Sequence, residues 1–271
     1  MKQLLIALSL ALAAAVAGCA TMTSPTGRTQ YVGAVSQAQL DQMGAQAFAE
    51  AKAETPQSKD SRQVAYVRCV VNALMRELPA DSGQGTAWDT AVFVNDEPNA
   101  FALPGGKVGV YTGIFKVARD QDQLAAVIGH EIGHVIAHHH DERITRQLAA
   151  QGLLGVAGGL AGSRWGQGAA NTTAQLGGMA AQGFFLLPNS REQESEADVV
   201  GQRLMARAGF DPRAAVDLWQ NMIAAGGSRP PQWLSTHPDP SARIGELRSR
   251  ANGLQGTYEQ ARASGRRPAC G

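Results

Sequence analysis

The sequence predicts a mostly helical α+β domain with one small sheet. Apolar residues recur near a period of 3.6 in residues 61–78, a pattern typical of an amphipathic helix. Two shorter apolar stretches, residues 88–95 and 99–111, are interpreted as strands. From residue 121 onward, helix-like segments predominate. The chain has 271 residues, of which 44% are hydrophobic, so it can bury a sizeable core.

Composition and charge exclude several classes of protein. With 44% hydrophobic and 17% charged residues, the chain resembles neither a disordered protein nor a coiled coil. Lys and Arg number 24 and Asp and Glu number 23, which gives a formal net charge of +1. Because proteins that bind nucleic acid usually carry a basic excess, nucleic acid is not an expected partner.

The first residues have the pattern of a bacterial lipoprotein signal peptide. Lys2 precedes an apolar run, Leu4 to Val16, that is shorter than the ~20 residues needed to span a bilayer. The run ends in Val16-Ala17-Gly18-Cys19, which resembles a lipobox. Residues 1–18 are therefore predicted to be removed and Cys19 to be lipidated; an ordinary secretory signal is the alternative. By resemblance to the sorting rule of enterobacterial lipoproteins, Ala20 in the position after the cysteine favours the outer membrane, at its periplasmic face.

The rest of the chain is predicted to form a tether and a single domain. Residues 19–35 are rich in Thr, Ser, Gly and Pro, lack an apolar period, and are predicted to be a flexible tether. The domain, residues 36–271, is predicted to contain helices over residues 36–54, 61–78, 121–148, 191–209, 211–226 and 238–252. Pro104-Gly105-Gly106 interrupts the extended stretch 99–111 and suits a turn between paired strands.

One internal segment has an unusual composition. Residues 151–190 contain ten Gly and a single charged residue, Arg164. Two interpretations stay open, a weakly packed helical hairpin and a lid over a site. Its apolar runs are too short for a membrane span.

Two cysteines remain after Cys19. Cys69 and Cys270 would lie in a compartment that permits disulfides, and a bridge between them would join the C-terminus to an early helix. Two unpaired thiols are the alternative.

The motif His130-Glu131-Ile132-Gly133-His134 predicts a metal site. Residues four apart lie on one face of a helix, so both imidazoles can bind one Zn²⁺ at ~2.0–2.1 Å. Glu131 lies beside them and can act as a general base. The alternative is a pair of partly buried histidines on a core helix.

A catalytic zinc needs a third protein ligand, for which there are two candidates. His140 has the spacing of HExxHxxGxxH, but Ala137, a helix former, replaces the glycine that ends the helix in that motif. Glu194 is favoured, with Asp198 one turn later accepting the N–H of a ligating imidazole. By itself, the acidic segment around Glu194 would instead be interpreted as a solvated helix start.

Four motifs occur together in one order: NAFALPGG at 99–106, HEIGHVIAH at 130–138, ExEAD at 194–198 and THPDPSAR at 236–243. With them, residues 60–250 resemble the zinc metallopeptidases of the CAAX-prenyl-protease, HtpX and Oma type. Within that family the chain is similar to the periplasmic lipoprotein peptidases LoiP and the catalytic half of BepA. The resemblance implies a zincin-like fold, one Zn²⁺ per chain bound by His130, His134 and Glu194, and Glu131 as the catalytic acid and base.

The resemblance also implies roles for two further segments. A substrate backbone would add as a strand to an edge of the small mixed sheet that is formed by Asn99, Ala100, Phe101, Ala102 and Leu103. His237 and Arg243 match an HP…R element near the metal, where they are candidate stabilisers of the transition state. In BepA-like relatives the matching histidine can also occupy the zinc, and both roles stay open for His237.

The predicted function is a lipid-anchored zinc metalloendopeptidase of the bacterial cell envelope. Because an extended backbone must join the sheet edge, the expected substrates are misfolded or unassembled envelope proteins, and the outer-membrane assembly machinery is a candidate partner. One alternative is an outer-membrane chaperone or assembly factor with a gated or structural zinc site. Another is a histidine-rich metal-binding lipoprotein.

Overall fold

The computed structural model describes residues 20–78, 88–150, 188–225, 233, 236–237 and 240–271. Within these ranges most residues are helical, and the strands form one two-stranded and one three-stranded sheet. The predicted fold class is confirmed. The signal peptide, Cys19 and residues 151–187 of the glycine-rich segment lie outside the described residues.

The chain near the N-terminus forms an antiparallel hairpin, with strands β1 (Ala20–Thr23) and β2 (Thr29–Val32). This differs from the flexible tether predicted for residues 19–35. The prediction relied on polar, glycine-containing composition. Composition could not show that two hairpin side chains, Arg28 and Gln30, bind groups elsewhere in the domain.

Helices α1 (Gln37–Glu54) and α2 (Ser61–Met75) begin at capping side chains. The Ser36 hydroxyl accepts a hydrogen bond from a backbone N–H of α1, and the Asp60 carboxylate does the same for α2. Both helices lie where the sequence predicts them. The face of α2 that is buried carries Val67, Val70, Val71 and Leu74.

The three-stranded sheet has the order β3–β5–β4, with β3 at Asp89–Phe93, β4 at Ala100–Leu103 and β5 at Lys107–Tyr111. β3 is parallel to β5 and β4 is antiparallel to it, so the sheet is mixed. The turn between β4 and β5 contains Gly105 and Gly106, whose φ angles of 74° and 71° favour glycine.

β4 is the edge strand that matters for the site. The N–H of Tyr111 donates to the C=O of Asn99 at 2.9 Å. Because backbone groups alternate along an antiparallel strand, those of Ala100 and Ala102 point away from β5. The opposite edge, β3, is partly paired with residues 56–58.

Helix α3 (Gln121–Ile136) is the centre of the domain and is buried over most of its length. The prediction of one helix over 121–148 is wrong. Ala137 and His138 interrupt it, the latter with a φ of 53°, and a second helix, α4, covers residues 139–150. The Gln30 side chain donates to the C=O of Ala137 at 2.7 Å, so the hairpin satisfies a carbonyl that the end of α3 leaves without a helical partner.

Three helices complete the described fold: α5 (Arg191–Ala208), α6 (Ala214–Ala225) and α7 (Pro240–Ala263). α5 ends at Gly209, which has the left-handed conformation of a helix C-cap. α7 extends well beyond its predicted end at residue 252. Cys69 in α2 and Cys270 form a disulfide that joins the C-terminal segment to the core. None of the helices in the described residues is long and apolar enough to cross a membrane.

Helices α3 and α5 approach each other closely at glycines. A Cβ added to Gly201 would lie 2.8 Å from the backbone nitrogen of His130 and 2.9 Å from the carbonyl carbon of Gly129. A Cβ added to Gly133 would lie 2.7 Å from the carbonyl oxygen of Ala197. Real Cβ atoms rarely come so near to backbone atoms, so this spacing requires glycine.

We expect Gly201→Ala to lower the free energy of unfolding by about 1–3 kcal/mol, because backbone atoms of α3 cannot move aside without disturbing the core. Urea denaturation measures the change. The control is Gly245→Ala in α7, where no atom lies within 4 Å of an added Cβ and alanine favours the helix. Equal stability of the two variants would contradict the proposed packing constraint.

Candidate metal centre

Four buried side chains from three parts of the chain converge on one point. His130 and His134 come from α3, Glu194 from the first turn of α5, and His237 from the segment before α7. One ligand atom from each lies within 4.8 Å of the other three. The structure therefore brings together the three predicted ligands and adds His237 to them.

The contacts inside this cluster fit a metal ion. His130 Nε2 lies 3.1 Å from His134 Nε2 and 3.2 Å from His237 Nδ1. One Glu194 oxygen lies 3.4 Å from His130 Nε2, and the other lies 3.4 Å from His134 Nε2. A neutral imidazole has a single N–H, and in His130 and His134 the Nδ1 atoms use it elsewhere. With those N–H groups at Nδ1, the Nε2 lone pairs of His130 and His134 face each other and neither can donate to the other, whereas a divalent cation can bind both.

Asp198 orients the first ligand. Its Oδ1 lies 2.9 Å from His130 Nδ1, so it accepts the N–H and leaves Nε2 for a metal. Two hydrogen bonds of 2.7 Å from the Arg243 guanidinium hold the same carboxylate. Burial would raise the pKa of Asp198, but Arg243 outweighs it and the pKa is lowered, so the acceptor stays ionised.

The second ligand is oriented through another histidine. His134 Nδ1 lies 2.8 Å from His139 Nδ1, and His139 Nε2 lies 3.0 Å from a Glu196 oxygen. For His134 to present Nε2 to a metal, His139 must accept at Nδ1 and donate at Nε2. The Glu196 carboxylate fixes that tautomer. Burial lowers the pKa of His134 well below its usual range, which favours the neutral form that binds metals.

Arg28 of the hairpin anchors this second arrangement. Its guanidinium donates to Glu196 at 2.8 Å and, with two further bonds of 2.7 and 2.8 Å, to Glu142. Burial would raise the pKa of Glu142, but hydrogen bonds from Arg28 and Gln193 outweigh it and lower the pKa to about 2. The hairpin is thus joined by charge-assisted bonds to α4 and α5, close to the metal ligands.

Sequence reasoning missed these orienting residues. From the sequence, no role is predicted for His139, and Glu196 is included only in the acidic segment around Glu194. No spacing rule links His139 to His134, because the break in α3 at Ala137 brings them together. Arg28 was assigned to a tether.

His140 lies outside the metal cluster. Its Nε2 lies 3.0 Å from the carbonyl oxygen of Ala102 in β4, and its Nδ1 accepts a hydrogen bond from Arg143 at 2.8 Å. Glu194 therefore joins the histidine pair and His140 does not. The sequence argument against His140 held that Ala137 continues the helix. That reason is wrong, since the helix ends there.

Glu131 lies beside the cluster and lines a cavity. One of its oxygens accepts a hydrogen bond from the Trp233 indole N–H at 2.9 Å and lies 3.4 Å from His237 Nε2. The cavity, of about 200 Å³, extends from Glu131 and His134 along β4 to Ala47 and Ala51 of α1. The carboxylate is therefore held where a polypeptide beside β4 can reach it.

Arg243 and His237 both contact the ligand carboxylate. The Arg243 guanidinium binds Glu194 as well as Asp198 and stacks 3.9 Å from the centre of the Trp219 ring. His237 Nδ1 lies 2.9 Å from a Glu194 oxygen. Burial would raise the pKa of Glu194, but His237 and hydrogen bonds from the histidines keep it well below its usual range, so the ligand is anionic.

Comparison with known proteins identifies similar chains. Residues 61–251 match the sequence profile of peptidase family M48. The mitochondrial metalloendopeptidase OMA1 of Schizosaccharomyces pombe is 36% identical over 180 residues, covering 65% of this chain and 51% of the relative. The beta-barrel assembly-enhancing protease of Escherichia coli K12 is 30% identical over 242 residues, covering 86% of this chain and 48% of the relative. The chain spans about half the length of these curated relatives.

We expect Glu194→Gln to lose the metal and His140→Ala to retain about one ion per chain, because only Glu194 contributes to the ligand cluster. Metal content after dialysis measures both. Glu192→Gln, an exposed change in the same turn of α5, controls for the altered charge. The reverse pattern, with loss only in His140→Ala, would reject this ligand set.

We expect His139→Phe to lower metal affinity by about 10–100-fold, because His134 loses the acceptor that holds its ring. Arg28→Gln should also lower the affinity for the metal. Competition against a chromophoric chelator measures the change, and Arg62→Gln, whose side chain is 94% exposed, is the control. Unchanged affinity in both variants would show that the contacts of His139 do not orient the ligand.

Proposed function

Because the chain belongs to peptidase family M48, we propose that it is a zinc-dependent metalloendopeptidase. The observation that carries this proposal is the position of Glu131. Its carboxylate lies beside a His-His-Glu cluster and on the wall of a cavity that an edge strand also lines. A site that only stored a metal would need neither the carboxylate nor the strand.

His130, His134 and Glu194 would hold the zinc ion. When bound, zinc supplies a Lewis acid that polarises a carbonyl group and makes water more acidic. Glu131 takes a proton from the attacking water and later returns one to the leaving amine. The Trp233 N–H, 2.9 Å away, keeps that carboxylate in place. Arg243 and Asp198 act by positioning, since both contact the ligands.

In this proposal His237 also occupies the metal site until a peptide binds. A catalytic zinc keeps one position open, whereas His237 Nδ1 lies among the three other ligand atoms. We propose that the imidazole withdraws when a peptide binds, after which it can donate to the carbonyl oxygen as negative charge develops there.

The substrate is an extended polypeptide. The outward backbone groups of Ala100 and the outward N–H of Ala102 can pair with a peptide that adds as a strand to β4, next to Glu131, whereas the Ala102 carbonyl already contacts His140. Folded proteins have few unpaired backbone groups. The favoured substrates are therefore misfolded or unassembled proteins of the cell envelope.

Location at the periplasmic face of the outer membrane, with a lipid on Cys19, is also proposed. Its support is the lipobox pattern of residues 16–19. The chain is similar to the beta-barrel assembly-enhancing protease of E. coli. This similarity supports outer-membrane proteins as substrates and the assembly machinery as a partner.

A chaperone or assembly factor with a closed metal site is the second candidate function. Three histidines and a glutamate form a four-ligand set, which is the number found in structural zinc sites. Such a protein would bind unfolded chains beside β4 without cutting them.

We expect Glu131→Gln to abolish casein cleavage by at least about 100-fold, because general acid–base catalysis contributes that much or more. Metal content should stay at about one ion per chain. Removal of the metal from the wild type should abolish cleavage, and zinc should restore it.

Full cleavage by Glu131→Gln with metal bound would reject the assignment of the base. A wild type that prevents aggregation of unfolded proteins, never cleaves them, and acts equally well as Glu131→Gln would instead support the chaperone function.

A further inference from the structure

Arg143 places an uncompensated positive charge in the wall of the active-site cavity. It lies on α4, and its side chain lines the same cavity as β4, Glu131 and His134. Among the residues that the structure describes, no carboxylate lies within ion-pair distance of its guanidinium. Two other arginines beside the site differ, since the partly buried Arg28 and the buried Arg243 each bind two carboxylates directly.

Among the described residues, a single hydrogen bond orients the guanidinium. One Nη donates to His140 Nδ1 at 2.8 Å, and His140 Nε2 in turn lies 3.0 Å from the carbonyl oxygen of Ala102. The Nε of Arg143 is buried and has no hydrogen-bond partner among the described residues. The guanidinium is therefore separated from the edge strand by one imidazole, and it has N–H groups that the described residues do not use.

This arrangement is electrostatically unfavourable in the free protein. Burial lowers the pKa of Arg143 to about 10, although the more distant charges of Glu194, Glu131 and Glu142 act in the opposite direction. The group is still cationic at neutral pH. The side chain is partly buried in the cavity wall, and a carboxylate supplied by a ligand would stabilise its charge.

We propose that Arg143 binds a carboxylate of the peptide that lies along β4. This inference rests on the proposed peptidase function and adds a preference for substrate. A guanidinium binds a carboxylate through two parallel hydrogen bonds. Arg143 lines the cavity, and the cavity is large enough to hold a carboxylate beside it. The carboxylate comes either from an acidic side chain near Ala102 or from the C-terminus of the substrate.

The test uses binding, so that it does not depend on cleavage. Glu131→Gln protein loaded with zinc is titrated with labelled, otherwise uncharged peptides, and fluorescence anisotropy measures affinity. In one series a single Glu or Gln is moved along the peptide, and in the other the C-terminus is free or amidated. We expect one Glu position, or the free C-terminus, to bind at least tenfold more tightly than its neutral counterpart.

Arg143→Gln, made in the same background, should remove that advantage and leave the affinity for neutral peptides within about twofold. Arg143→Lys should keep part of it, because the charge remains but the paired geometry is lost. Arg146→Gln, one turn further along α4 with a half-exposed side chain, should bind like the parent and controls for general loss of charge.

Three results would overturn the inference. The first is that the parent protein shows no preference for a peptide with a carboxylate, and the second is that the preference survives Arg143→Gln. The third is that Arg143→Gln lowers the affinity for neutral and acidic peptides equally, which would mean that Arg143 only supports His140 and β4. If Arg143→Gln does not fold, the parent protein and Arg143→Lys still decide the outcome. A protein that binds carboxylates through Arg143 but never cleaves casein would reject the peptidase proposal and leave this inference standing.

Discussion

The close packing of α3 against α5 is the constraint on which the candidate site depends. Gly133 and Gly201 let the two backbones approach at distances that a Cβ would not allow. At that separation the first turns of α5 place Glu194 and Asp198 directly beside the histidines of α3. A wider spacing would leave two imidazoles on a buried helix without a carboxylate, and nothing in the sequence near them could replace it.

The two histidine ligands are held by the same kind of arrangement, built from different parts of the chain. His130 donates to Asp198, which Arg243 fixes, and His134 donates through His139 to Glu196, which Arg28 fixes. In each case an arginine donates hydrogen bonds to the acceptor, and the acceptor sets the tautomer of the ligand. Because Arg28 belongs to the hairpin, the segment that follows the proposed lipid anchor forms part of the metal centre.

The break between α3 and α4 has consequences on both sides of the site. It turns His139 back toward His134 and directs His140 to the edge strand. It also carries Arg143 into the cavity wall, where its charge stands apart from the paired arginines. One interruption of a helix thus supplies a support for a ligand, a contact to the edge strand β4 and a cation with no carboxylate at ion-pair distance among the described residues.

Local patterns in the sequence determined much of this protein. Helical periodicity located most helices to within a few residues, and the HExxH motif with the acidic segment 194–198 indicated the ligand set. Such signals are readable because they depend on residues a few positions apart. The docked hairpin, the helix end at Ala137 and the roles of His139, His140 and Arg143 were decided by tertiary structure. Arg28 and Glu196, for example, are 168 residues apart, and no local pattern records that two such side chains meet.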